Sequence, residues 1–294
     1  MTRVTNSMTA RTVLADIQNV QAQLTETQNR LSSGKQLTKP SDDPFGTSRA
    51  LLYRGELAAN TQYQSNVNEA TSWLNTTDTA LGSISDDAAR ARDLLLQGAN
   101  GSMSQTDKDA IADELDQLAD SIKTAGNTQY AGSYIFSGAK TGTQPFTIGG
   151  TDAYAGDTST INREIGQGVT VPVNVTGDTV VSPVLAAIRQ AAIDLRAGGT
   201  PGNLGTTDLN ALDAASDNIS ETRAIVGARQ NRMASALSRL QQINVAQSQQ
   251  LSNTEDADMA QTMIDFSTQS AVYQAALKAG ANLIQPSLMN FLSS

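Results

Sequence analysis

Apolar positions near both ends of the chain recur at alternating spacings of three and four residues. This spacing places the side chains on one stripe of a helix and is the a/d seam of a coiled coil. We therefore predict a helical arm at each end, with seam residues Val13, Ile17, Val20, Leu24 and Leu31 in the first, and Met263, Phe266, Tyr273, Leu277 and Ile284 in the last.

The same period continues between the arms and predicts a helix from Pro44 to about Gln97, which at ~1.5 Å per residue would be roughly 80 Å long. Further helices are expected after an N-cap at Thr106, from Val184, from about Thr207, and after a capping box of Ser252 and Glu255. The seam of the first long helix reads Val67, Ala70, Leu74, Thr77, Leu81, Ile84, Ala88, Ala91 and Leu95.

Residues 134–183 are rich in Thr, Val, Gly and Asp, and the run TVPVNVTGDTVV predicts short strands and hairpins. The expected fold is mainly α: a long coiled-coil helical rod with terminal heptad arms and a small central β-rich domain. The predicted parts are an N-terminal assembly helix (1–35), long rod helices (36–133), a β-rich outer domain (134–183), returning rod helices (184–254) and a C-terminal assembly helix (255–294).

The segment LSSGKQLTKPSDDP at residues 31–44 raises two alternatives, a phosphate loop and a hinge between helices. A phosphate loop requires a glycine where Asn29 stands, a hydroxyl where Gln36 stands, and a preceding strand. The segment is better interpreted as helix stop, hinge and helix start. Its predicted hinge residues are Gly34 as the left-handed helix end, Pro40 as the stop, Asp42 between the prolines, and Asp43 with Pro44 as N-cap and first helical residue.

Composition narrows the function classes. The net charge of -9 opposes binding to nucleic acid or an anionic membrane, and no apolar run is long enough to span a bilayer. The absence of Cys and His removes disulfides, histidine bases and most metal sites. We expect no enzyme activity, catalytic residue, metal or cofactor, and no cleaved signal peptide; a carboxylate hydrolase and a cytoplasmic coiled-coil oligomer stay open as alternatives.

An isolated arm should be marginal in water. About five seam residues contribute roughly 1.5 to 3 kcal/mol each when buried, whereas ordering each residue costs about 1 to 2 kcal/mol of backbone entropy. We therefore expect the arms to pair with each other and with neighbouring subunits. The alternative is an ordinary bundle folded back within a monomer.

Four segments in shared order carry a resemblance: LSSGKQLTKPSDDP, YIFSG at 134–138, VGARQNRM at 226–233, and the ending from DADMAQTMIDF onward. Together they resemble the bacterial flagellin superfamily, and within it the branch of hook–filament junction subunits. The resemblance implies a structural subunit of the flagellar axial tube, exported unfolded through the type III apparatus. It also assigns Asn231 and Arg232 to packing between long helices; the alternative is that both are simply polar surface positions.

The resemblance further implies partners. The chain would form a ring with copies of itself, contact hook-associated protein 1 on the hook side and flagellin on the filament side, and bind an export chaperone through its C-terminal arm. Flagellin itself, the repeating filament subunit, is the alternative within the same superfamily.

Overall fold

The computed structural model describes residues 6–198 and 202–284, which are mainly helical. None of the helices in this part of the chain combines the length and apolarity that a bilayer-spanning segment requires. In chain order the elements are α1 (Asn6–Ser33), α2 (Pro44–Gly98), α3 (Gln105–Gly126), β1 (Gln129–Tyr130), β2 (Ser133–Tyr134), β3 (Asn162–Gly166), β4 (Val169–Pro172), α4 (Gly177–Arg196), a π-helical turn (Asn203–Asp208), α5 (Leu209–Glu255) and α6 (Met259–Ile284).

The chain divides into two compact units. The first, the arm unit, contains Met1–Ala59 and Asn244–Ser294, and the second, the central unit, contains Asn60–Ile243. Both α2 and α5 contribute one part to each unit.

The core of the central unit is built on the predicted heptad stripe of α2. All nine of its residues, from Val67 to Leu95, are at most 1% exposed. The corresponding stripe of α5, which includes Ile219, Val226 and Met233, is also fully buried. The three-four period therefore predicted the buried face of α2 correctly, because burial of one apolar stripe is what selects that period.

Helix α3 begins two residues earlier than the sequence predicts. Its N-cap is Ser104, and the expectation of Thr106 is wrong. The hydroxyl of Ser104 accepts the backbone N–H of Asp107, and the Asp107 carboxylate accepts the backbone N–H of Ser104. This reciprocal capping box satisfies two donors that a start at Thr106 would leave open.

Helix α4 begins at Gly177 and not at Val184, so the DTVV part of the expected strand region is helical. Pro183 lies inside this helix and cannot donate to the carbonyl of Thr179 four residues earlier. The side-chain amide of Asn218 on α5 donates to that carbonyl instead, at 2.9 Å. A tertiary contact therefore compensates the missing helix bond.

The β-rich expectation is correct only for two short antiparallel hairpins, β1–β2 and β3–β4. The intervening residues 135–161 form turns, which side chains hold in place. The hydroxyl of Tyr154 donates to the carbonyl of Phe136 at 2.8 Å, and the amide of Asn127 donates to the carbonyl of Phe146 at 2.7 Å. Burial raises the pKa of Tyr154 to about 12, with Asp157 and Asp178 adding to the effect. Of the YIFSG motif, Ile135, Phe136 and Ser137 are fully buried.

An ionic network joins α3, α4 and this turn segment. Arg189 on α4 donates to Asp120 at 2.9 Å and to Asp152 at 3.1 Å, and also binds Asp116. Lys123 is fully buried and donates to the carbonyl of Gly150 at 3.0 Å. Although burial raises the pKa of Asp116, hydrogen bonds from the Arg196 and Arg189 guanidinium groups outweigh it and hold that pKa below its usual value.

Candidate assembly arms and hinge

The predicted seam of α1 faces α6 within the arm unit. Its five apolar members are half-buried, and the interspersed Thr27 is 8% exposed. The closest approach is at Gly280, where an added Cβ would lie 3.1 Å from Cδ1 of Ile17 and 3.4 Å from Cγ1 of Val13. Glycine therefore lets the two helices approach at this level, since any side chain would press on both seam residues.

The seam of α6 has a different register from the predicted one. Phe266 and Tyr273 are half-buried as expected, but Met263 is 60% and Leu277 is 44% exposed. The positions that turn away from solvent, besides those two, are Thr262, Gln269, Ser270, Ala276 and Gly280. Met263 and Leu277 therefore do not face α1 within the chain, and their place in an assembly seam stays a prediction. The side chain of Ile284 lies outside the described ones.

A polar contact lies inside this mostly apolar pair of helices. The Thr27 hydroxyl donates to Oε1 of Gln269 at 2.7 Å, across 242 positions of sequence. This part-buried hydrogen bond forms only when the two helices are in one register. A shift would leave Oε1 of Gln269 without this donor, whereas the Thr27 hydroxyl would keep its bond to the carbonyl of Gln23 at 3.0 Å. The Thr27–Gln269 bond therefore defines the α1–α6 alignment that the apolar residues alone would leave loose.

The hinge is attached to the turn between α5 and α6 by main-chain bonds. Gly34 follows α1 in the left-handed conformation, with φ +70°. Its carbonyl accepts the N–H of Ala257 at 2.9 Å, and the N–H of Gln36 donates to the carbonyl of Glu255 at 2.7 Å. This antiparallel bridge fixes the start of the linker against the start of α6.

Glu255 also anchors the hinge through its carboxylate. The carboxylate is 4% exposed and forms ion pairs with Lys35 from the linker and Arg54 from α2. The predicted capping box of Ser252 and Glu255 is wrong, because α5 continues through both residues. Asp258 caps α6 instead and accepts the N–H groups of Ala260 at 3.0 Å and Gln261 at 3.1 Å.

The rest of the linker forms an Asp-stabilised turn. Oδ2 of Asp42 accepts the backbone N–H of Lys39 at 2.9 Å and the Thr38 hydroxyl at 3.1 Å. The Lys39 N–H bond holds the pKa of Asp42 below its usual value; burial opposes it, and the bonds from Thr38 add to the lowering. Pro40 in this turn is exposed.

Helix α2 starts at Pro44 as predicted, and Oδ1 of Asp43 accepts the N–H of Phe45 at 3.0 Å in the N-cap position. One contact was not apparent from the sequence. A Cβ on Gly46 would lie 2.9 Å from Cδ1 of Leu37, so the first turn of α2 packs closely on the linker.

The pair Asn231 and Arg232 lies at the surface of α5. The neighbouring residues of the same motif make the tertiary contacts. Gln230 donates its amide to Oδ1 of Asn75 on α2 at 3.0 Å, and Arg229 donates to the carbonyl of Asn174 at 3.0 Å. The exposure of Asn231 and Arg232 favours the alternative in which both are polar surface positions.

Several large apolar side chains of the arm unit point away from the chain. On α6 they flank the α1-facing side or lie away from it, and others lie on α1, near the start of α2 and late on α5. Their exposed fractions range from 44% for Leu277 to 84% for Phe45. The set is Met8, Leu14, Phe45, Leu51, Leu52, Val245, Met259, Met263, Ile264, Val272 and Leu277. Large apolar side chains exposed in this number favour an interaction surface on this unit.

The carboxylates of the hinge do not form a metal site. Within residues 6–198 and 202–284, no group of three or more Asp, Glu, His or Cys is arranged to hold an ion. Glu255 is bound by two cations, and Asp258 and Asp42 are used in capping. The geometry serves to connect helices.

Comparison with known proteins gives matches over both helical regions. A model of the bacterial flagellin N-terminal helical region matches residues 4–141, and one of the C-terminal helical region matches residues 209–292. The flagellar hook-associated protein 3 of Escherichia coli K12 is 24% identical, covering 94% of this chain and 95% of that protein. The flagellar filament 41 kDa core protein of Borreliella burgdorferi is 25% identical, covering 92% and 94%.

A solved structure gives a similar result. A structure named for a flagellar hook-associated protein of Vibrio parahaemolyticus superposes with a TM-score of 0.65 and 26% identity. The superposition covers 73% of this chain and all of the other.

Proposed function

The chain belongs to the bacterial flagellin family, and we propose that it is a structural subunit of the flagellar axial tube that joins the hook to the filament. Its role is mechanical and requires no catalytic group or cofactor. The observation that carries the proposal is the arm unit, in which α1 and α6 pair while large apolar side chains such as Met263 and Phe45 remain exposed. Covering those side chains requires neighbouring subunits.

The exposed side chains provide the driving force for assembly. Each large apolar side chain contributes roughly 1.5 to 3 kcal/mol when fully buried, and the described part of the arm unit exposes eleven of them. A subunit contact that covered several of them would offset part of the free-energy cost of ordering the arms. The hinge bonds of Glu255 would hold the arms in one orientation while this occurs.

The family and the hook-associated relatives support a set of partners. We assign copies of the same chain around a ring, hook-associated protein 1 on the hook side and flagellin on the filament side. Residues 1–35 and 255–294 would form the inner coiled coil, and the β-containing segment would lie outermost. Export through the type III apparatus without a cleaved signal, with a chaperone on the C-terminal arm, completes the proposal; nucleic acid and membrane have no part in it.

A repeating filament subunit is the second candidate function, and one comparison supports it. The Borreliella filament core protein aligns over nearly its whole length at an identity similar to that of the hook-associated relative. The junction function is preferred because the solved hook-associated structure is covered in full. The two roles differ in whether the subunit adds to itself indefinitely.

Seeded assembly distinguishes them. Purified chain is added to hook ends and, separately, to filament seeds, and growth is followed by electron microscopy. A junction subunit adds at the hook end and stops, whereas a filament subunit elongates without limit. Addition to neither seed would contradict both roles.

Immunogold labelling with an antibody against residues 140–182 tests the location in intact cells. Label confined to the zone where hook meets filament is the expected result. Label along the filament would favour the second candidate, and label absent from the flagellum would overturn the proposed function.

A further inference from the structure

The turn between α2 and α3 contains a dipeptide that occurs once in the chain, Asn100 followed by Gly101. Helix α2 ends at Gly98 and α3 begins at Gln105, so the dipeptide lies outside both helices, and its two residues are exposed. In any such pair, the main-chain nitrogen of the second residue can attack the side-chain amide carbon of the asparagine and close a five-membered ring. Glycine hinders this attack least, because it has no Cβ.

Two donors hold the side-chain carbonyl of Asn100. The hydroxyl of Ser102 donates to Oδ1 of Asn100 at 3.0 Å, and the backbone N–H of Ser102 donates to the same oxygen at 3.3 Å. During the attack this oxygen takes up negative charge, and donors that are already in place at such an oxygen lower the barrier. The turn therefore activates Cγ of Asn100 towards a nucleophile.

The attacking nitrogen is free of main-chain bonding. Among the described residues, the backbone N–H of Gly101 has no hydrogen-bond acceptor, whereas the N–H groups of Asn100 and Met103 on either side donate to carbonyls at 3.1 and 3.2 Å. An N–H that is not bound to a carbonyl loses no hydrogen bond when it gives up its proton. The nucleophile and the activated carbon thus belong to neighbouring residues of one exposed turn.

Asn127, in the turn after α3, has the opposite arrangement. Its amide donates to the carbonyl of Phe146 at 2.7 Å, and its Oδ1 accepts the N–H of Phe146 at 3.0 Å. The residue that follows is Thr128, and its N–H is bound to the carbonyl of Ala125 at 3.1 Å. Asn127 is therefore an internal comparison in which the fold holds both reacting groups.

We propose that Asn100 is a site of self-modification, at which the side-chain amide is lost as ammonia and replaced by a carboxylate, with the Ser102 donors promoting the reaction. The nitrogen of Gly101 bonds to Cγ of Asn100, and its proton passes to water or hydroxide. The bond from Cγ to Nδ2 breaks, and the nitrogen leaves as ammonia after taking a proton from water. A five-membered succinimide ring remains.

Water then opens the ring at one of its two carbonyls. Opening at Cγ gives an aspartate in an unchanged main chain. Opening at the main-chain carbonyl gives an isoaspartate, in which the main chain runs through Cγ and is longer by one carbon. Either product adds one negative charge to the chain, at the exposed turn between α2 and α3. This inference concerns the chain alone and does not depend on the flagellar role.

The test incubates the folded, full-length chain at mildly alkaline pH and follows two tryptic peptides by mass spectrometry. Peptide 93–108 contains Asn100 as its single asparagine, and peptide 124–140 contains Asn127 as its single asparagine. We expect peptide 93–108 to change from amide to acid and to give two acid products that chromatography separates, while peptide 124–140 keeps its amide. Conversion of the two peptides at equal rates would overturn the proposal.

Two variants test the chemistry of the step. Gly101→Ala places a Cβ beside the attacking nitrogen and should slow the conversion; Gly101 is not one of the glycines with positive φ, so alanine fits the turn. Ser102→Ala removes one donor to Oδ1 and should slow the conversion about two- to tenfold in the folded chain but not in urea.

Ser102→Thr keeps the hydroxyl and should retain the rate, and Ser121→Ala, at an exposed serine of α3, is the matched control. Circular dichroism checks that each variant is folded. An unchanged rate in Gly101→Ala would contradict the ring step, and an unchanged rate in Ser102→Ala would contradict the role of the donors.

Discussion

At the residue scale, Glu255 is the residue whose importance the sequence analysis missed. Its carbonyl accepts a hydrogen bond from Gln36, and its buried carboxylate binds Lys35 and Arg54. In the sequence it is one of several acidic residues near a helix boundary, and the spacing to Ser252 suggested a cap. Only the positions of Lys35 and Arg54, more than 200 residues away, give it a different role.

We expect Glu255→Gln to lower the free energy of opening the hinge by about 1 to 3 kcal/mol. The amide is a weaker acceptor, and it leaves two cations without their counter-charge. Hydrogen exchange at residues 35–37 should rise in parallel. The control is Glu26→Gln, which removes an exposed pair with Arg30 and should cost less than about 0.5 kcal/mol. Equal effects of the two variants would remove Glu255 from this role.

At the element scale, the heptad period predicted where the helices lie better than it predicted which side of each helix is buried. In α2 every predicted seam residue is buried. Along α6 the three-four spacing itself is correct. At alternate positions, however, the buried residue is the one just before the predicted residue, so that Ala276 and not Leu277 faces α1. Apolar residues such as Met263 and Leu277 can serve either an internal or an external contact, and the pattern cannot distinguish these.

Gly280→Leu tests the α1–α6 contact. Leucine improves helix propensity by about 1 kcal/mol, yet here it would overlap Ile17 and Val13, at a cost of about 1 to 3 kcal/mol. We expect earlier thermal loss of α1 and α6 helicity, measured by circular dichroism.

The matched control is Ala279→Leu, since Ala279 is exposed on the same helix. It should leave the melting temperature nearly unchanged. If Gly280→Leu melts later than the control, the close approach at Gly280 does not limit the pairing.

At the scale of the whole molecule, the arm unit keeps apolar surface that its own chain leaves open. The central unit buries its apolar stripes internally, whereas α6 exposes Met263, Ile264, Val272 and Leu277. This contrast within one chain indicates that the two units have different tasks. The central unit buries a core of its own, and we propose that contact with other subunits completes the arm unit.

The double variant Met263→Glu with Leu277→Glu should separate folding from assembly. Both side chains are exposed, so the stability of the monomer should change by less than about 0.5 kcal/mol per site. Losing about 1.5 to 3 kcal/mol of burial per side chain at a subunit contact should weaken seeded assembly at least about tenfold.

Gln274→Glu is the control, because it adds a charge to an exposed polar position of α6 and removes no apolar surface. Assembly as strong for the double variant as for this control would contradict the assignment of the α6 surface.

The sequence by itself determined the long helices, the α2 core stripe, the hinge ends at Gly34 and Pro44, and the family. These depend on local periodicity and on caps that lie a few residues apart, and both can be read along the chain. Tertiary structure alone decided the α6 register and the roles of Glu255 and Asn218. Each of these depends on which distant groups become neighbours, and burial then sets the free energy of every charge and unpaired polar atom among them.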